Sequence, residues 1–141
     1  MDGSNRTDVA ALFLRGALGI MFVAHALLKY LVFTPAGTVQ FFESLGLPGP
    51  LAYATIAAEL VGGVLLVLGV YTRTVSFALL PILLGAAWAH SGNGWLFTSP
   101  NGGWEYPAFW LVALVAQSLI GEGAFALRPS APNLRAAPAQ A

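Results

Sequence analysis

Four long apolar stretches alternate with short polar or glycine- and proline-rich breaks along this chain. That alternation predicts four membrane-crossing helices, at about 9–33, 51–70, 74–90 and 104–120. Between the first two, Thr34-Pro35-Ala36-Gly37 interrupts the helical pattern. Residues 38–45 then place Phe41, Phe42 and Leu45 on one side and Gln40, Glu43 and Ser44 on the other, which suits a short interfacial helix. The connection Tyr71-Thr72-Arg73 is so short that spans two and three must be antiparallel neighbours. Pro81 falls inside span three, a position tolerated in lipid where neighbouring helices satisfy the freed carbonyl. Residues 91–103 are rich in Gly, Asn and Ser and carry Trp95 and Phe97 at the expected headgroup level. The expected fold class is all-α: an integral membrane four-helix bundle with a short interfacial helix between spans one and two. Residues 1–8 form a cytoplasmic N-terminus, 9–127 the membrane domain, and the Ala/Pro-rich 128–141 a disordered tail.

Composition sharpens this picture. Charged residues are 9% of the chain and hydrophobic ones 57%, with a mean hydropathy of +0.75, whereas soluble domains carry about 25% charged residues. A chain of 141 residues with net charge +0 is one domain without the basic field that nucleic acid requires. Cysteine is absent, which removes thiolate catalysis, disulfides and cysteine-ligated metal from the chain itself. The start lacks a basic n-region, and the first apolar block outruns a signal's h-region, so it reads as a retained span. Arg6, Arg15, Arg73, Arg128 and Arg135 fall on one side of the predicted topology and only Lys29 on the other. The expected orientation is therefore both termini cytoplasmic, in a cell (inner) membrane.

In such a chain the ionisable exceptions carry the chemistry. At about 100° per residue, Arg15, His25 and Lys29 share an arc of roughly 80° on helix one. His25 lies roughly 9 Å below the outer end of its span, and Glu59 about 12 Å below the same surface on helix two. His90 ends helix three and Glu105 opens helix four, so all four helices bring titratable groups to the outer half. His25, Lys29, Glu59, His90 and Glu105 are accordingly the candidates for ligand binding or proton relay. Lys29 can equally snorkel to headgroups, and His90 and Glu105 can be solvated interfacial groups. Glu59 in mid-span costs about 2.5–3.5 kcal/mol unless protonated, paired or wet. It demands either a partnership with His25 or Lys29 or a working role. Arg15 and Gln117 read as structural buried polar groups, with Gln117 or backbone carbonyls as partners for Arg15. No metal is assigned, because no HxxxH or ExxH spacing supports a site. Trp88, Trp95, Trp104 and Trp110 read as interfacial belt residues. No GxSxG, Walker or dinucleotide pattern occurs.

The segments "FVAHALLKY", "FFESLGLP" and "AAELVGGVLLVLGVYTR", together with the early Arg15, resemble the DoxX family of small four-helix membrane proteins. The resemblance covers about residues 12–127 and is most specific in the run that holds Glu59, Gly62, Gly63, Gly69 and Arg73. It implies association with membrane oxidoreductase assemblies, among them quinone-coupled sulfur oxidation, and hence a quinone as ligand. Without cysteine, sulfur chemistry would need a partner protein. The first functional expectation is a redox-associated membrane subunit binding a lipid-soluble ligand near the outer face. The alternative is a non-enzymatic scaffold or assembly subunit. A small-solute transporter is disfavoured by short loops and the lack of an internal repeat. The expected partners are the lipid bilayer and either an oxidoreductase protein or further copies of the chain.

Overall fold

The computed structural model describes residues 3–130, and all of its regular elements are helical. Helix α1, Gly3–Leu27, runs without a break into a π-helical turn, Leu28–Val32. It is followed by α2 (Thr34–Ser44), α3 (Pro50–Leu68), α4 (Thr72–His90), a 3₁₀ turn (Ser91–Asn93) and α5 (Glu105–Ile120). The first helix starts earlier than its apolar pattern, because the polar residues after Gly3 continue the same helix beyond the hydrophobic stretch. The second starts at Thr34 rather than 38. Pro35 occupies its first turn, where a missing N–H costs nothing, so the proline begins a helix instead of ending one.

Helices α1 and α4 each pack against both α3 and α5, which closes a four-membered ring with α2 laid against α3 at one end. Gly19 and Gly63 set the α1–α3 contact. A Cβ added to Gly19 would stand 2.6 Å from the Gly63 carbonyl oxygen, and one added to Gly63 would stand 2.8 Å from that of Gly19. Backbones approach this closely only without side chains between them, the usual device of helix pairs in lipid. Gly16, one turn away, has open space around it.

The core joins Leu18 and Phe22 of α1, Leu66 of α3, Leu79 and Leu83 of α4, and Trp110 and Leu114 of α5. Trp110 is therefore a core residue, 4% exposed, and not a belt residue. It shares the inward stripe of α5 with Leu114 and Gln117, at spacings of four and three.

Among the described residues, three helical stretches are long and apolar enough to cross a membrane: Gly3–Val32, Pro50–Leu68 and Thr72–Asn93. Helix α5, with 16 residues, is shorter.

The end that carries both Gly3 and Ser130 is tied shut. Helix α3 finishes in a Schellman motif. Gly69 is left-handed at φ 68°, its N–H donates to the Leu66 carbonyl, and the Val70 N–H donates to that of Leu65. Residues 121–130 then strap across this terminus. The Leu127 N–H donates to the Leu68 carbonyl, Arg128 N–H to Gly69, Tyr71 N–H back to Arg128, and Ala124 N–H to Asp8 at the start of α1. Arg128, expected at the head of a disordered tail, sits with its guanidinium carbon 5.2 Å from the Tyr71 ring centre. Residues 131–141 of that expected tail, with Arg135, lie outside the described residues.

Candidate functional site

Helix α1 and the π-helical turn that continues it present two cations in contrasting settings. At the terminal end Arg15 is 1% exposed and makes four hydrogen bonds, all to backbone carbonyls. It donates to Leu66 (3.1 Å) and Val67 (2.6 Å) in the last turn of α3, and to Glu122 and Ala124 (2.8 Å each) in the strap. With the Schellman and strap bonds, every carbonyl from Leu65 to Leu68 has a donor. The guanidinium also faces the negative end of the α3 dipole. Arg15 thus acts as a helix cap, and Gln117 does not pair with it. The Gln117 side chain, 0% exposed, donates instead to the Gly121 carbonyl at 2.6 Å.

Beside this cap, Arg73 lies 3.9 Å from the Glu122 carboxylate, which accepts a 2.7 Å hydrogen bond from the Ser130 N–H. Burial pushes the Glu122 carboxyl up, but the hydrogen bonds from Ser130, with Arg73 adding to them, hold it below its ordinary value.

At the opposite end, Lys29 Nζ lies 2.9 Å from each oxygen of Glu59. The carboxylate is almost wholly buried, while the lysine reaches it from the half-exposed π turn. Of the two partners the sequence offered Glu59, the structure pairs it with Lys29 and leaves His25 beside the pair without a hydrogen bond to it.

These groups edge an apolar chamber. One lobe, of about 350 Å³, lies among α2, α3, α4 and α5, with His25, Lys29, Glu59, His90, Phe42 and Trp110 in its wall. A second lobe, of about 770 Å³, opens between α2 and the 91–103 loop. His25, Lys29, His90, Phe41, Phe42 and Tyr106 line both lobes. His25 is packed by aromatic rings: its centroid is 4.8 Å from that of Trp110 and 6.0 Å from that of Tyr106. Its Nδ1 is 2.9 Å from the Met21 carbonyl oxygen, one turn back on α1. His90 Nδ1 is 3.1 Å from the carbonyl oxygens of both Asn101 and Gly102, so the ring at the end of α4 pins the loop that roofs the larger lobe.

Four of the five sequence candidates therefore converge: His25, Lys29, Glu59 and His90. Glu105 does not join them. Its carboxylate accepts the Phe97 N–H at 2.8 Å and lines a separate groove with Trp95 and Phe109. Its place at the first residue of α5 explains this, since a side chain there turns back to the preceding loop. Among the described residues no three histidine or acidic side chains stand close enough together to hold a metal ion. Sequence reasoning passed over Tyr106 and Trp110 and the chamber role of α2. The i, i+4 spacing of Tyr106 and Trp110, on the helix that must face His25, was the available signal.

A ring of apolar helices, with charged groups gathered at its two ends, defines a multi-pass membrane protein. The chain belongs to the DoxX family, whose model matches residues 10–92. It is 43% identical over 79 residues to a Bacillus subtilis (strain 168) protein named "Putative oxidoreductase CatD". That match covers 56% of this chain and 58% of the relative, so the shared stretch spans little more than half of that protein. No solved structure matches the chain. His25, Lys29, Glu59 and His90 lie inside the family match, whereas the α5 wall of the chamber lies beyond it.

Proposed function

We propose that this protein is a membrane subunit of a quinone-linked oxidoreductase system, and that the chamber holds a lipid-soluble ligand. The observation that carries the reading is the convergence of His25, Lys29, Glu59 and His90 on the wall of one apolar, aromatic-lined cavity. Buried ionisable groups in a membrane bundle are costly and mark ligand or proton sites by default. The cavity also has the usual composition of a small-molecule site, apolar walls with a few converging polar groups. A quinone would supply carriage of electrons with protons. Around it Tyr106, Trp110 and Phe42 would pack the ring, His25 and His90 would stand at its oxygens and accept from them when they are hydroxyls, and the Lys29–Glu59 pair would set the local charge. The relative's name, which designates an oxidoreductase, supports the redox setting. The arginine asymmetry supports placing both termini in the cytoplasm and the chamber near the outer face.

Native mass spectrometry of the protein released from its own membrane in mild detergent tests this reading. A quinone-sized adduct on the wild type, lost in Glu59→Gln and in His25→Ala, is the expected result. Full quinone-linked activity of the parent complex with folded Glu59→Gln and His25→Ala subunits would sink it. One observation favours a second reading. The Lys29–Glu59 pair joins α1 to α3 with both carboxylate oxygens engaged, as a scaffold subunit with no ligand would use it. On that reading partner function follows only the abundance of the folded variant.

A further inference from the structure

The two histidines of the chamber fix what kind of hydrogen bond a ligand can make. A carbonyl oxygen only accepts, so the short contact of His25 Nδ1 with the Met21 carbonyl places the ring proton on Nδ1. The same holds for His90, whose Nδ1 faces the carbonyls of Asn101 and Gly102. The Asn93 amide also approaches His90 Nδ1, but at 3.4 Å, and its hydrogens go to those same two carbonyls at 3.2 and 2.9 Å. In the neutral ring each Nε2 then bears a lone pair and no proton. Neither Nε2 has a protein partner among the described residues.

The two threonine hydroxyls nearby are engaged elsewhere, whereas the Tyr106 hydroxyl, in the wall of both lobes, makes no hydrogen bond to the described residues. Thr38 donates to the Lys29 and Thr34 carbonyls, and Thr55 to that of Leu51. The indole N–H of Trp110 is sealed from solvent in the wall. Lys29 turns toward both oxygens of Glu59. At its two histidines, then, the chamber offers acceptors on aromatic walls, with Tyr106 as the hydroxyl that can face a ligand as donor or acceptor, and the Lys29–Glu59 pair is already internally balanced.

Resting on the reading that the chamber binds a lipid-soluble ligand, we propose that this ligand is an uncharged hydroxy-aromatic, a phenol or hydroquinone. Its O–H groups donate to Nε2 of His25 and Nε2 of His90. A carbonyl-only aromatic of the same shape meets two lone pairs and is the poorer ligand. The reduced member of a quinone couple is thus the form that the histidines select.

Three probes of nearly equal shape separate the possibilities: tetramethylhydroquinone, its dimethyl ether and tetramethylquinone. Each is titrated anaerobically into the detergent-solubilised full chain, and affinity is read by calorimetry. The expected result is hydroquinone binding at least about tenfold tighter than either of the others. That preference should disappear in His25→Phe, which keeps the ring packing on Trp110 and Tyr106 but removes both nitrogens. His90→Phe should weaken the hydroquinone selectively as well, with a melting curve reporting whether its loop stays folded. Equal affinities, or tighter binding of the quinone, would overturn the donor-ligand proposal and leave the lipid-ligand reading standing. A preference for the hydroquinone that persists in a folded His25→Phe would overturn the assigned role of His25. No binding of any probe would overturn both readings together.

Discussion

Arg15 in α1 and Lys29 in its π-helical continuation stand about 21 Å apart along the helix axis, and the chain treats them in opposite ways. Arg15 is held by four backbone carbonyls from two segments, in a pocket that its own fork fills. Lys29 is held by a single carboxylate at the edge of a cavity. The difference follows from the two side chains. A planar, always-charged guanidinium satisfies several fixed acceptors at once, whereas an ammonium on a flexible stem makes one compact pairing that can be exchanged. The terminal end is built to stay closed, and the chamber end holds groups with room to rearrange.

The sharpest way to break this contrast is Arg15→Met. It leaves the Leu66, Val67, Glu122 and Ala124 carbonyls without their donor, and should destabilise the protein by about 3–5 kcal/mol. Thermal unfolding in detergent reads this, and Arg15→Lys should recover only part of the loss. A loss below about 1 kcal/mol would mean that the two ends do not differ.

Next in size is Glu59→Gln. Lys29 stays partly exposed near a helix end and can turn to the headgroups, so the expected loss is smaller, about 1–3 kcal/mol. Adding Lys29→Met to it should restore stability, with a coupling energy of about 1 kcal/mol or more in a double-mutant cycle. Strict additivity would instead show that the pair is not a tether.

A smaller effect belongs to the strap. The folded Glu122 carboxyl sits below its ordinary value of 4.5, so its contribution is fully present above that pH. It fades as the pH falls through 4.5 and on to the folded-state value. Glu122→Gln should remove this acid-side slope, an effect of less than about 1 kcal/mol at neutral pH. Hydrogen exchange of the Leu127 and Arg128 amides against pH is the measurement.

Smallest is Ser76→Ala on α4. The Ser76 hydroxyl is fully buried without a protein partner among the described residues. Its removal should shift stability by no more than about 0.5 kcal/mol, or raise it slightly.

The sequence made the bundle legible because lipid demands uninterrupted apolar helices, and each shows as a run of residues. The convergence of His25, Lys29, Glu59 and His90 was legible too, since helical rise alone puts them at similar depth. What escaped was made by backbone. Backbone carbonyls were one of the two partners expected for Arg15, but which four hold it, the strap over 121–130 and the loop carbonyls that orient His90 have no side-chain signature. Pro35 misled because a proline marks a break and a beginning equally well, and only the chain's path decides between them. Trp110 misled because its type suggests an interface, while its register on α5, one turn before Leu114, points inward.

Helix α5 has a consequence for the lipid around it. Sixteen residues give about 24 Å of helix, against a hydrocarbon layer about 30 Å thick. A crossing by α5 would require headgroups to sink or the bilayer to pinch on that flank, while the 19-residue α3, across the ring from it, nearly matches the full thickness. Such a crossing would give the bundle a thin flank, where each ångström of misfit costs a fraction of a kcal/mol. A bundle with that flank would distribute itself between membranes by their thickness before any partner is chosen.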